Sequence, residues 1–171
     1  MPDDDRLLVI MRHAKAEPFA AEDRLRRLTD RGRAAAADAG RWAAGHGIAP
    51  DHALVSPAVR TRETWAAFAA ALGTAVEAVY DAALYSAGTE TAMASLRSIA
   101  DDVRCAVLVG HNPTVASLVQ LLGDGAGDPG ALRRVSSGYP PGSVALFRLA
   151  GGWPQLDFGG ARLEATYVDQ G

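Results

Sequence analysis

Three short apolar runs in this chain each stop at a sudden cluster of arginine, histidine, serine or asparagine. The segments are VIMRHAKAE at 9–17, LVSPAVRTRET at 54–64 and LVGHNPTV at 108–115. A brief, unbroken apolar run is what a strand buried on both faces requires. Such runs, alternating with amphipathic helical stretches, predict an α/β sandwich on a mostly parallel sheet. In an open sheet of that kind, ligands bind beyond the carboxyl ends of the strands. All three polar clusters are therefore expected along one edge of one sheet.

The element pattern can be followed along the chain. Leu7–Met11 reads as the first strand, and residues 14–28, charged and irregular, as a long loop. Thr29 can cap a helix running to Gly45, with Gly47 ending it. Ala53–Val55 reads as a strand, and Ser56-Pro57 as the N-cap and first-turn pair of a helix over 58–71. Further strands are expected at 76–79, 105–109, 144–149 and 155–158, and helices at 89–100 and from Asn112-Pro113 to Leu122. Residues 123–142, rich in glycine, proline and serine, read as a flexible excursion. The alanines of 34–44 and 66–71 read as helix-forming filler. Trp42, Trp65 and Phe68 fall at helical positions and are expected in the core, and Asp3-Asp4-Asp5 reads as a solvated tail. The length, 171 residues, suits one domain over 1–171 with one sizeable core.

Charge and cysteine content narrow the partners. A formal net charge of −3 supplies no general attraction for nucleic acid or an anionic membrane, so an anionic substrate must be held by local arginines. Cys105, the one cysteine, lies in an apolar strand and reads as buried filler in a reducing compartment. The acidic start and brief apolar run do not resemble a secretory leader, and no stretch is long enough to span a bilayer; a cytoplasmic location is expected.

Together the clusters offer Arg12, His13, Arg60 and His111, a set suited to a phosphoryl group. Guanidinium forks match pairs of phosphate oxygens. A neutral imidazole can attack phosphorus while a protonated second one donates to its oxygens. No carboxylate-rich cluster accompanies them, so neither a metal nor a cofactor is expected, and the arginines take the place of a divalent ion. Each residue taken singly also has a plainer reading: Arg60 as a solvent-facing helix residue, His111 as a cap of its own helix.

These segments resemble the histidine phosphatase superfamily, also called phosphoglycerate mutase-like. Its Arg-His-Gly hallmark stands here as Arg12-His13-Ala14, its Ser-Pro-x-x-Arg-x-x-x-Thr block as Ser56 to Thr64, and its Val-Gly-His-Asn-Pro block as Val109 to Pro113. Within it the chain looks most like the small SixA-type phosphohistidine phosphatases, through its length, Arg26-Arg27-Leu28-Thr29 and Leu84-Tyr85. The resemblance implies a three-layer α/β/α sandwich, His13 as nucleophile, and Arg12, Arg60 and His111 around the phosphate. It also implies a substrate contact from Arg26, with Ser86 and Asn112 as further candidates for binding substrate.

Two positions depart from the family. Ala14 replaces glycine, and Ser86 stands where many members carry the acid that protonates an alkoxide, with Glu90 a few residues on. Glu90 reads more simply as a helix-start glutamate. A phosphohistidine leaves as imidazole and needs less help, so a labile phosphate carried by a phosphorylated protein or a small molecule is the expected substrate. A phosphomonoesterase acting on a small metabolite, a mutase, and a non-catalytic module that binds phosphorylated protein are the alternatives. Oligomeric state is left open, a monomer being compatible with everything above.

Overall fold

In the computed structural model, residues 5–169 are described. Six strands form one sheet: β1 (Arg6–Arg12), β2 (His52–Val55), β3 (Val79–Tyr80), β4 (Cys105–Gly110), β5 (Val144–Leu149) and β6 (Ala161–Tyr167). Their order is β3-β2-β4-β1-β5-β6. Strands β3, β2, β4 and β1 run parallel; β5 pairs antiparallel with β1, and β6 antiparallel with β5. The sheet is mostly parallel, as expected.

Among the described residues, five helices cover it: α1 (Asp30–Gly45), α2 (Val59–Leu72), α3 (Thr89–Arg97), α4 (Thr114–Gly123) and α5 (Pro129–Ser136). Side chains alternate across each strand, and the core divides accordingly. Val9 and Met11 of β1, with Val107 and Val109 of β4, pack against Ala36, Ala39, Trp65 and Phe68 of α1 and α2. Leu8, Ile10, Ala106 and Leu108 pack against Met93, Leu96, Leu118 and Leu122 of α3 and α4. The result is the three-layer α/β/α sandwich.

The alanines of α1 do more than favour helix. A side chain on Gly40 would come within 2.4 Å of the Phe68 carbonyl oxygen, so α1 and α2 meet backbone against backbone. Ala36, Ala39 and Ala43, fully buried in this seam, make that approach possible. Trp65 and Phe68 lie in the core, and Trp42 packs at its margin.

Several boundaries differ from the sequence expectation. Val76–Val79 gives only the two-residue edge strand Val79–Tyr80. Helix α2 begins at Val59, because the Ser56 side chain is committed elsewhere, and α3 stops at Arg97. The expected strand at 155–158 is absent; Trp153–Gln155 forms a 3₁₀ turn led by Gly152 and Pro154. The last strand is Ala161–Tyr167. Residues 123–142 are not wholly irregular, since α5 forms inside them, capped by Asp128 accepting from the Ala131 amide at 2.9 Å. Asp3 and Asp4 of the acidic start lie outside the described residues, while Asp5 pairs with Arg148 at 2.7 Å.

Candidate active site

The parallel register brings the three clusters together. Arg12 pairs with Gly110 across β1 and β4, so His13 and His111 leave adjacent strands side by side. Val55 of β2 pairs with Val109, and the Ser56 amide donates to the Val109 carbonyl at 3.1 Å. Three neighbouring strand ends thus deliver His13, His111 and Ser56, and α2 then carries Arg60.

His13 is fixed on several sides. Its amide donates to Gly110 O at 3.0 Å, and its carbonyl accepts from the Gly142 amide at 3.0 Å. Gly142 has φ +85°, the left-handed region where a side chain would be strained. The next amide, that of Ala14, donates to Thr64 Oγ1 at 3.0 Å, and Thr64 Oγ1 donates to the Arg60 carbonyl at 2.6 Å. The final threonine of the second block therefore ties the His13 segment to the turn bearing Arg60. Ala14 is buried and is not among the positive-φ residues, which explains why alanine is tolerated where the family has glycine.

The ring of His13 lies 2.8 Å, through Nδ1, from the Ala14 carbonyl oxygen. A carbonyl can only accept, so Nδ1 carries the proton and Nε2 keeps its lone pair. Burial, then the charges of Arg60, Arg12 and Arg26, lower the His13 pKa to about 4 against the pull of the Ala14 bond. Its ring centroid is 5.3 Å from that of His111. His111 Nε2 is 2.7 Å from Ser56 Oγ, and burial followed by the charge of Arg60 lowers its pKa to about 3. In the unliganded protein both shifts favour the neutral imidazoles, through burial and the neighbouring arginine charges.

The arginines are held from behind. Arg12 donates through Nη1 to the Tyr139 carbonyl at 3.1 Å. Arg60, only 6% exposed, donates through Nη1 to Asp23 O at 2.9 Å and through Nη2 to Asp23 Oδ2 at 3.1 Å. Asp23 also accepts from Arg26 Nε at 3.0 Å and, in a very short bond, from the Tyr85 hydroxyl. That hydroxyl, then Arg26 and Arg60, hold the Asp23 carboxyl far below the ordinary carboxylate range. The Tyr85 ring stands edge-on to His111, with centroids 5.6 Å apart. Arg12 Nε, Arg60 Nε and His111 Nδ1 are buried without a partner among the described residues. The two unpartnered guanidinium N–H groups are donors and fit a ligand rich in acceptor oxygens.

The remaining candidates are placed around this centre. Arg26 bonds Asp23 and, through Nη1, the Glu17 carbonyl at 3.0 Å. Ser86 is exposed at the wall of a cavity of about 400 Å³ beside His111, which Tyr85, Gly88, Asn112 and Thr114 also line. The Asn112 amide is engaged at both ends: Nδ2 donates to the Tyr139 carbonyl at 3.0 Å, and Oδ1 accepts from the Ala116 amide at 3.2 Å. Glu90 is exposed in the first turn of α3. Asp23, Tyr85 as a site residue, and Tyr139 escaped sequence reasoning. Asp23 sits in a charged run that looks solvated, and only tertiary proximity exposes its link to Arg60.

Cys105 is buried, and burial followed by the charge of Asp51 pushes its thiol up to about 12, so it is no nucleophile. Among the described residues, no group of three or more His, Cys, Asp or Glu side chains is placed to hold a metal ion, and no helix is long and apolar enough to cross a membrane.

The chain has well-defined relatives. Residues 8–88 match the family model described as Histidine phosphatase superfamily (branch 1). An uncharacterised protein of Mycobacterium leprae (strain TN) is 31% identical over 163 residues, spanning 92% of this chain and 99% of its own. A solved structure from Nakamurella multipartitia, provisionally assigned as the phosphohistidine phosphatase SixA, is 32% identical with a TM-score of 0.85, covering 98% of both chains. Another from Agrobacterium tumefaciens, with the same provisional assignment, is 27% identical with a TM-score of 0.79, covering 96% of this chain and 98% of its own.

Proposed function

Because the chain belongs to the histidine phosphatase superfamily, we propose that it is a phosphatase that hydrolyses phosphohistidine, or a similarly labile phosphate, through a covalent phospho-His13. The observation that carries this reading is the bond from His13 Nδ1–H to Ala14 O at 2.8 Å, which leaves an unprotonated Nε2 among cations. Nε2 attacks phosphorus in line, an N–P bond forms, and the bond to the leaving imidazole breaks with that imidazole already protonated. The His13 ring gains positive charge, which the Ala14 carbonyl, already accepting Nδ1–H, stabilises. Arg12, Arg60 and His111 surround the equatorial oxygens as charge redistributes. Water then attacks phosphorus, the Nε2–P bond breaks with its electron pair returning to a neutral His13, the excess proton of the water passes to the phosphate or to solvent, and inorganic phosphate leaves.

The character of the nearby carboxylate favours a labile substrate. Asp23 is kept ionised by Tyr85, Arg26 and Arg60, so it has no proton to give an alkoxide at neutral pH. A phosphorylated small metabolite would fit the cavity of about 400 Å³, and that space is what favours the second reading. Its walls, however, are built from residues such as Ser86, Asn112 and Thr114 and offer no carboxylic acid for the leaving group.

The chain is proposed to act as a single domain in the cytoplasm, on a phosphorylated protein or small molecule, without metal or cofactor. Ser86, and Arg26 and Asn112 through the loops they brace, are proposed to contact substrate. The test is a screen of the purified protein against a phosphohistidine protein, phospholysine and sugar phosphates, with and without chelator. Preferential turnover of phosphoramidates, unchanged by chelator, is expected. Preference for sugar phosphates, or a strict need for added Mg²⁺, contradicts the reading.

A further inference from the structure

Ser56 opens the second block, and its side chain has left the helix start to meet His111. It is fully buried, its amide donates to Val109 O, and its carbonyl accepts from Thr61 Oγ1 at 2.6 Å. Its backbone is therefore fixed, and its hydroxyl has one partner among the described residues, His111 Nε2 at 2.7 Å.

Hydrogen-bond accounting sets the direction of that contact. A buried hydroxyl proton needs an acceptor, and the Nε2 lone pair of a neutral imidazole is the one in reach. Were Nε2 the protonated nitrogen, the serine proton would be stranded. The Nδ1 lone pair would then be left buried and unpartnered in a site where phosphate oxygens, themselves acceptors, are expected. With Ser56 donating to Nε2, the proton sits on Nδ1, the buried atom without a partner among the described residues.

We propose that Ser56 is a positioning residue that fixes His111 as the neutral Nδ1–H tautomer, so that this ring presents a hydrogen-bond donor to the phosphoryl oxygens. The site then holds two imidazoles of the same tautomer used in opposite senses. His13 spends its Nδ1–H on Ala14 O and presents a lone pair. His111 spends its Nε2 lone pair on Ser56 and presents an N–H. One becomes the nucleophile and the other a donor, and neither needs to be charged. A donor without net charge can bind the oxygens in both chemical steps without shedding or taking a proton between them. The tautomer assignment stands on the contacts alone; its use rests on the phosphatase reading above.

The test is nitrogen-15 NMR of the imidazoles in the full-length protein near neutral pH, with inorganic phosphate as the probe. In the wild type, His111 is expected to carry its proton on Nδ1, and phosphate to shift that nitrogen. In Ser56→Ala, with the fold checked by circular dichroism, the His111 tautomers mix while His13 stays unchanged. Its kcat on a phosphohistidine protein falls roughly tenfold or more, as for loss of a transition-state donor, with a smaller change in KM. Ser56→Thr, which keeps the hydroxyl, restores both the tautomer and part of the rate. A wild-type His111 protonated on Nε2 overturns the assignment outright. Mixed tautomers in Ser56→Ala with kcat unchanged overturn its functional half. A wild type without phosphatase activity but with the Nδ1–H tautomer counts against the phosphatase reading and leaves the assignment standing.

Discussion

Two irregular segments hold the arginines of this site, and they do it by opposite means. Residues 139–143 work from the buried side with backbone groups. The Tyr139 carbonyl receives Arg12 and Asn112, the Gly142 amide reaches the His13 carbonyl, and the Ser143 carbonyl accepts from the Arg12 amide at 3.0 Å. The Tyr139 hydroxyl donates to Ile10 O at 2.7 Å and locks this segment onto β1. Residues 17–27 work from the exposed side with charge: Asp23, whose side chain is 54% exposed, joins Arg60, Arg26 and Tyr85. Buried bonds have no water to replace them, so they set geometry. Exposed ion pairs exchange with water and salt, so they steer and orient while adding little stability. A site of this design is rigid at its back and adjustable at its mouth.

Among the residues these two segments hold, the largest expected effect comes from removing the side chain that both charge and burial protect. Arg60→Ala should lower kcat/KM by roughly 10²–10³-fold, because a preorganised donor to the phosphoryl oxygens is lost. A loss below tenfold in steady-state kinetics would mean that Asp23 holds Arg60 away from substrate.

Acid should weaken the buried side next. The His13 pKa is lowered to about 4, whereas the unfolded chain takes the proton near the ordinary 6.5. The unfolded state therefore binds more protons between those values. Stability is complete above about pH 6.5 and is lost as pH falls toward 4, by an amount on the order of a few kcal/mol. His111, lowered to about 3, extends the loss further down. Urea titrations across that range measure it; flat stability from pH 7 to 4 would show that neither ring is held neutral by burial.

Tyr139→Phe should then cost about 1–2 kcal/mol in the same titration, since a buried hydroxyl bond is removed. The smallest stability effect belongs to the exposed segment. Asp23→Asn should change stability by no more than about 0.5 kcal/mol, yet lower kcat/KM several-fold, with the difference from wild type shrinking at high salt. If Asp23→Asn proved more destabilising than Tyr139→Phe, the contrast between a rigid back and an adjustable mouth would be wrong.

The two segments were also unequally hidden in the sequence. The parallel half of the fold was readable because each buried strand ends in an abrupt polar cluster, and register does the rest. Arg12, His13, Arg60 and His111 all stand on or just after such strands. The stretch 123–142 misled through composition, although Asp128-Pro129 is a helix start and Leu132 and Val135 follow at helical spacing. Strand β6 was missed because its alternation, with Ala161 and Leu163 buried and Arg162 exposed, is interrupted where β5 and β6 shift register between Leu146 and Phe147. Tyr139 bonds Ile10, 129 positions away, and Asp23 bonds Arg60, 37 positions away, and no local pattern reports such contacts. Ser56 misled in the other direction: it has the chemistry of an N-cap, but His111 claims its hydroxyl.

The central claim is that Nε2 of His13 forms a bond to phosphorus. Wild-type protein mixed with a phosphohistidine protein and quenched in base within a turnover should yield a peptide phosphorylated at His13 on Nε2, stable in alkali and lost in acid. The label should be absent from His13→Ala, which should also be inactive. Turnover that leaves no phosphate on residue 13, or a label carried by His111 instead, would contradict the account.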